Sequence, residues 1–260
     1  MLEWTIPGFK HPLVFDRDAI VRAALRAYVE CFFARIPSCL GSPVVDLPFW
    51  TGDLERGALR NDDGEGGYEV VAWTEAGVVG LALEAWQGPI EQLGLSVNAV
   101  TGGPDDVRVA VPELPEELEP AFVMAVGMLD VGPDHGEKLA GIGFWLYGDR
   151  AGGTLFHLDE LMPPVWGVTK LAAWGLLWDG RLPRACGDEI HFHSDEPAAA
   201  PIHAIIDSVV DRRLKGPTEL TPDELATLLV REPAPKRLLA VQRRLQEVGI
   251  TWPGSPEIPE

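Results

Sequence analysis

Cysteine is scarce in this chain: three residues in 260, at Cys31, Cys39 and Cys186. A small, odd number builds no disulfide framework, so the expectation is a reduced, cytoplasmic protein. No apolar run approaches the roughly 18 residues that span a bilayer. The start, M-L-E-W-T-I-P-G-F-K, lacks the basic-then-apolar order of a secretory signal. Basic residues are also few, 21 against 40 acidic ones, for a net charge of -19. The deficit is concentrated. Residues 61–137 hold 16 Asp and Glu and one basic residue, Arg108, so this block alone carries about -15. Such a field repels nucleic acid and anionic membrane and speeds encounter with a basic partner. Its plainer use is solubility. Phosphate-cradling glycine motifs and a G-x-S-x-G nucleophile elbow are missing. Cys31 has no nearby histidine of obvious role and reads as a core residue.

What is present reads as one α+β domain over 1–260, with a small, mostly antiparallel sheet from the middle of the chain packed by N-terminal and C-terminal helices. The alternative is a division near residue 160: a mixed α/β part (1–160), a helical part (161–250) and an extended tail (251–260). Asp16 suits the N-cap of a first helix that Pro37 ends, with a buried stripe through Val21, Leu25, Tyr28 and Phe32. Residues 37–67 read as a long irregular connection with short extended pieces around Val44-Val45 and Phe49-Trp50. From Tyr68 two strands joined by a tight turn at Ala76-Gly77 follow, and further strands are expected at 139–148 and 153–156. A helix is expected between these pairs, around Phe122 to Leu129. Later helices are expected at 164–179, 201–215, 222–231 and 234–249. Thr221-Pro222-Asp223-Glu224 has the form of a capping box with proline in the first turn. Trp73 and Trp145 in the strands, and Trp166, Trp174 and Trp178 at helical spacing, are expected in the core.

The stretch G-D-E-I-H-F-H-S-D-E-P, residues 187–197, is the densest in metal-binding side chains. In a strand, His191, His193 and Asp195 would share a face, a plausible first shell for zinc or another divalent transition metal. H-F-H-S-D-E resembles the H-x-H-x-D-H signature of the metallo-β-lactamase superfamily at its first three metal-binding positions. Glu196 stands where the fourth, a histidine, belongs. The cupin pattern departs sooner, because Glu196 lies only three residues after His193. The reading we adopt is a polar loop between two helices, with Ser194 or Asp195 capping the helix that starts near Pro201. N-D-D-G-E-G, from Asn61, has calcium-loop flavour, but its twelfth position is Ala72, where an EF-hand needs glutamate.

Two classes of function follow. The first is a non-enzymatic acidic binding protein of the bacterial immunity or inhibitor type, which neutralises a basic protein partner such as a toxin and needs no cofactor. Its expected contacts are Asp62, Asp63, Glu65, Asp105 and Asp106, in Gly-rich and Pro-containing loops. The second is a metal-dependent hydrolase using His191, His193 and Asp195, with His203 as a further ligand and Glu189 or Glu196 as base.

Overall fold

The computed structural model describes residues 2–4, 13–34, 49–62, 67–84, 107–129, 142–156, 183–186, 189–192, 197, 199–229 and 235–255. The chain begins with strands β1 (Leu2–Trp4) and β2 (Leu13–Phe15) and helix α1 (Arg17–Ala34). Strands β3 (Phe49–Gly52), β4 (Gly57–Asp62), β5 (Gly67–Thr74) and β6 (Gly77–Glu84) come next. Two short 3-10 turns, Arg108–Ala110 and Glu116–Leu118, lead into helix α2 (Glu119–Met128). Strands β7 (Ile142–Tyr147), β8 (Arg150–Gly152), β9 (Pro183–Cys186) and β10 (Glu189–Phe192) precede helix α3 (Ala200–Arg213). The chain then passes through strand β11 (Thr218–Glu219), helices α4 (Pro222–Leu228) and α5 (Pro235–Glu247), and strand β12 (Ile250–Thr251).

Six strands form one antiparallel sheet in the order β3-β4-β5-β6-β7-β8, so the protein is α+β with its sheet in the middle of the chain. Both faces of the sheet are covered, which explains why its central strands β5, β6 and β7 read as near-continuous apolar runs. Period-two alternation sorts their side chains into two cores. Leu59, Val71, Trp73, Val78, Ile142, Phe144 and Leu146 join residues of α1, α3 and α5 in the first core. Ala58, Val70, Ala72, Val79, Leu81 and Trp145 join α2 in the second. Gly80 faces Phe144 across the β6–β7 pair, and a Cβ there would lie 2.1 Å from the phenylalanine ring. The ring fills the space that glycine leaves.

The first helix starts as expected: Asp16 Oδ1 accepts from the Ala19 N–H at 3.1 Å. The capping box also forms, with Thr221 Oγ1 accepting from Glu224 N at 3.2 Å and Glu224 Oε2 accepting from Thr221 N at 2.9 Å. Trp73 and Trp145 are buried, as is Cys31. The stripe at Trp166, Trp174 and Trp178 lies outside the described residues, as does the expected helix over 164–179.

Several expectations need correction. Within 37–67 the extended piece at Phe49-Trp50 is strand β3, whereas Gly57–Asp62, read as irregular, is the sheet strand β4, paired with both β3 and β5. Residues 154–156 form a 3-10 turn, and β8 precedes it. The β5–β6 turn is at Glu75-Ala76, with Gly77 already in β6. Toward the end of the chain, β12 pairs in parallel with β11, and Trp252 is buried in the first core. Strands β9, β10 and β11 lie among the helices of 161–250, and β12 begins at Ile250.

Replacing Gly80 with valine should force its side chain into the Phe144 ring. We expect a loss of stability of roughly 1–3 kcal/mol in chemical denaturation, whereas Gly127→Ala, in a helix with open space at its Cβ, should cost less.

Candidate functional site

The sheet is a meander, and a meander places alternate turns at the same end. Thr74 pairs with Gly77 and Gly77 with Tyr147, so the β5–β6 and β7–β8 turns lie together. The β3–β4 turn joins them, because Gly57 pairs with Trp73. Each of these turns carries carboxylates: Asp53 and Glu55, Glu75, and Asp149. Arg17 ties the start of α1 to the same end. Its Nε donates to the Thr74 carbonyl at 2.7 Å, and its Nη2 donates to the Glu55 carbonyl at 2.9 Å. That brings Asp16 and Asp18 alongside. The 3-10 turn at Glu116–Leu118 completes the group, since the Tyr147 hydroxyl donates to Glu117 Oε1 at 3.0 Å.

A cavity of about 250 Å³ opens among these segments, lined by Phe15, Arg17, Glu75, Leu146, Asp149 and Arg150 with the backbone around them. Arg17 is already engaged, with Nη1 on Asp18 at 2.6 Å and its other nitrogens on carbonyls. The Arg150 guanidinium lies 5.5 Å from the Trp145 ring centroid. Glu75 and Asp149 have no ion-pair partner among the described residues. Chemically, this end offers open carboxylates beside a partly apolar cleft, a setting suited to a cationic group on an aliphatic stem. Asp53 is held below the usual carboxylate range by the Arg56 and Glu55 backbone N–H groups it accepts from, so it remains ionised.

A second polar assembly lies between α1 and α3, buried at Arg26, Glu30 and His203 and open to solvent at Asp207 and Asp211. Arg22, Arg26 and Glu30 are spaced by four along one helix, and His203, Asp207 and Asp211 by four along the other. They meet in antiparallel order. Arg22 reaches Asp211 at 3.1 Å and Asp207 at 3.6 Å; Arg26 Nε donates to Asp207 Oδ1 at 2.7 Å. Arg26 Nη1 also donates to Glu30 Oε2 at 2.5 Å, and its Nη2 lies 3.2 Å from His203 Nδ1. A guanidinium can only donate, so Nδ1 of His203 is the acceptor and the neutral ring carries its proton on Nε2. Arg26 and Glu30 are 1% and 0% exposed. Among the described residues Glu30 Oε1 has no hydrogen-bond partner, and it sits 3.8 Å from His203 Nδ1. Burial pushes the Glu30 carboxyl up to about 7, against a partial opposing pull from Arg26.

The residues expected from sequence are placed as follows. Asp62 ends β4 opposite Tyr68, at the end of the sheet away from Glu75. Asp63, Glu65, Asp105 and Asp106 lie outside the described residues, as do His193, Asp195 and Glu196. His191 lies in β10, opposite Arg184 of β9, and Glu189 opens the same strand. Residues 189–192 are therefore a strand, not part of a polar loop between helices. Ser194 and Asp195, expected to cap the next helix, lie outside the described residues; the N-cap of α3 is Ala199, with no side-chain cap bond. His203 faces Arg26 and Glu30, and the described residues contain no group of three His, Cys, Asp or Glu able to hold a metal. No described helix is long and apolar enough to cross a membrane.

Comparison with family models, curated proteins and solved structures found no match for the chain. No family is assigned. Two sequence signals lead to what the expectations missed. One is the pair of four-residue-spaced charged stripes of α1 and α3. The other is an acidic residue in every second turn of the sheet.

The Glu30 carboxyl gives a pH test. Its folded value is raised from an ordinary 4.5 to about 7, so the stability it contributes is fully present below the unfolded value. That contribution is lost as pH rises through about 7. Glu30→Gln removes the titration while leaving Arg26, His203 and Asp207 in place. The stability of this variant relative to the parent should therefore increase between pH 5 and pH 8, by on the order of 1–3 kcal/mol. A difference that stays flat with pH would contradict this environment for Glu30.

Proposed function

We propose that this protein is a non-enzymatic binding protein that captures a basic protein partner through its acidic end, in the manner of an immunity or inhibitor protein acting on a toxin. The observation that carries the reading is the convergence of carboxylates from separate stretches of the chain. Asp16, Glu75 and Asp149 line one cleft, and Asp18, Asp53, Glu55, Glu116 and Glu117 stand on neighbouring segments at the same end of the sheet, with Arg17, Arg56 and Arg150 among them. A surface of this kind attracts a basic partner over a long range and then pairs with its Lys and Arg side chains. Glu75 and Asp149 are the candidates for direct pairing, because the cleft opens between them. The backbone of the antiparallel turns fixes their positions, which limits the ordering cost of binding. Asp62, Asp63, Glu65, Asp105 and Asp106 belong to the same acidic chain and contribute to the long-range field on this reading.

The test pairs a Glu75→Gln/Asp149→Asn variant with a charge-matched Asp62→Asn/Glu84→Gln control at the far end of the sheet. Binding of an Arg- and Lys-rich peptide is followed by stopped-flow at low and high salt. The cleft variant should weaken binding by about tenfold, near 1.4 kcal/mol, mainly through slower association, and should weaken its salt dependence. Equal effects of the two variants would mean that only the overall charge matters and that the acidic end is no site.

A further inference from the structure

Helix α2, E-P-A-F-V-M-A-V-G-M, has one charged residue, Glu119, and is otherwise apolar on every side. One face is accounted for: Ala121, Phe122, Ala125 and Val126 are buried in the second core. The opposite face is open. Val123 is 58% exposed, Pro120 and Gly127 are exposed, and a Cβ on Gly127 would have no atom within 4 Å. Met124 and Met128 are half-buried beside it. Val109, 43% exposed, lies on the 3-10 turn whose Arg108 sits over Phe122 and bonds Glu119 at 2.6 Å. A surface helix ordinarily turns polar residues outward, and a helix apolar all round is ordinarily covered.

We propose that the outer face of α2 is the apolar centre of the surface that docks the basic partner protein, an inference that rests on the function proposed above. Two observations select this occupant. First, the rim of the patch is acidic: Glu113, Glu116 and Glu117 are exposed along the approach to α2. A second copy joined about a two-fold axis would set this acidic rim against itself, whereas a partner carrying Lys and Arg around an apolar centre matches it. Second, the patch is continuous with the acidic end. The exposed Glu117, two residues before α2, accepts from the Tyr147 hydroxyl, and Tyr147 precedes the β7–β8 turn at the acidic end. An apolar centre bordered by charge is the usual anatomy of a specific interface, with the half-buried methionines adapting to the partner surface.

The test uses an 18-residue amphipathic helical peptide of Leu and Lys as the probe and compares the parent protein with Val123→Asp. This substitution adds a negative charge at an exposed position. If charge alone governs binding, the cationic peptide binds the variant at least as tightly. If Val123 is part of an apolar centre, affinity falls by roughly tenfold or more, and hydrogen exchange of the bound parent slows over 119–128. Circular dichroism and thermal melting establish that the variant is folded. Unchanged or tighter binding by Val123→Asp, with Glu75→Gln/Asp149→Asn still weakening it, would overturn this inference and leave the basic-partner reading standing. Loss of peptide binding by neither variant, or no binding by the parent, would count against both. A parent that sediments as a dimer, made monomeric by Val123→Asp, would assign the face to a second copy instead.

Discussion

The packing of α1 against α3 rests on Arg26. Its guanidinium is almost completely removed from water, and such a charge is tolerated only when its hydrogen-bonding groups find partners. Glu30 supplies one from the same helix, while Asp207 and His203 supply others from α3. Arg22 and Asp211 extend the ladder toward solvent. Sliding either helix by one turn would break the ladder and strand Arg26 or Glu30 in the core. The arrangement therefore acts on register more than on net stability, because the desolvation of buried ions offsets much of their attraction. Around it the apolar residues close in: Ile20, Leu25, Phe32, Ile206, Val209 and Val210 all belong to the first core, which also holds Trp252 near the C-terminal end.

From that anchoring the acidic end follows. Once α1 is fixed along the sheet, its first turn meets the end of β5, and Arg17 bonds there to the carbonyls of Thr74, Leu54 and Glu55. The antiparallel order of the sheet brings the acidic turns to the same place. Linear charge density and spatial charge density are thus different quantities in this protein. The acidic block of 61–137 includes Glu69, which is 1% exposed and contributes little to the surface field. Asp16, Asp53 and Asp149 lie outside that block and yet stand at the acidic end.

Much of the fold was legible in the sequence because the signals were local and agreed with one another. Asp16 before a long apolar stripe specified α1, alternation and a turn specified β5 and β6, and T-P-D-E specified the start of α4. Strand β4 was hidden because Gly57 and Asp62 bound a run with only two adjacent buried apolar residues, Ala58 and Leu59, one on each face. Strand β12 was hidden because a strand of two residues has no period to read. For the site, the general excess of acid was visible, but its location needed the strand order. His203 drew attention as a metal ligand, whereas the spacing of Arg22, Arg26 and Glu30 against His203, Asp207 and Asp211 holds the better clue. Two stripes of period four with opposite charge order predict antiparallel helices.

The most direct test of this account is a double-mutant cycle between the helices, using Arg26→Met, Asp207→Ala and the double variant in equilibrium unfolding. The cycle isolates their coupling from the burial that each side chain contributes separately. The account predicts a favourable coupling of at least about 1 kcal/mol. Additive effects within about 0.3–0.5 kcal/mol would show that α1 and α3 are held by apolar packing alone, and would contradict the ladder as the constraint on which the acidic end depends.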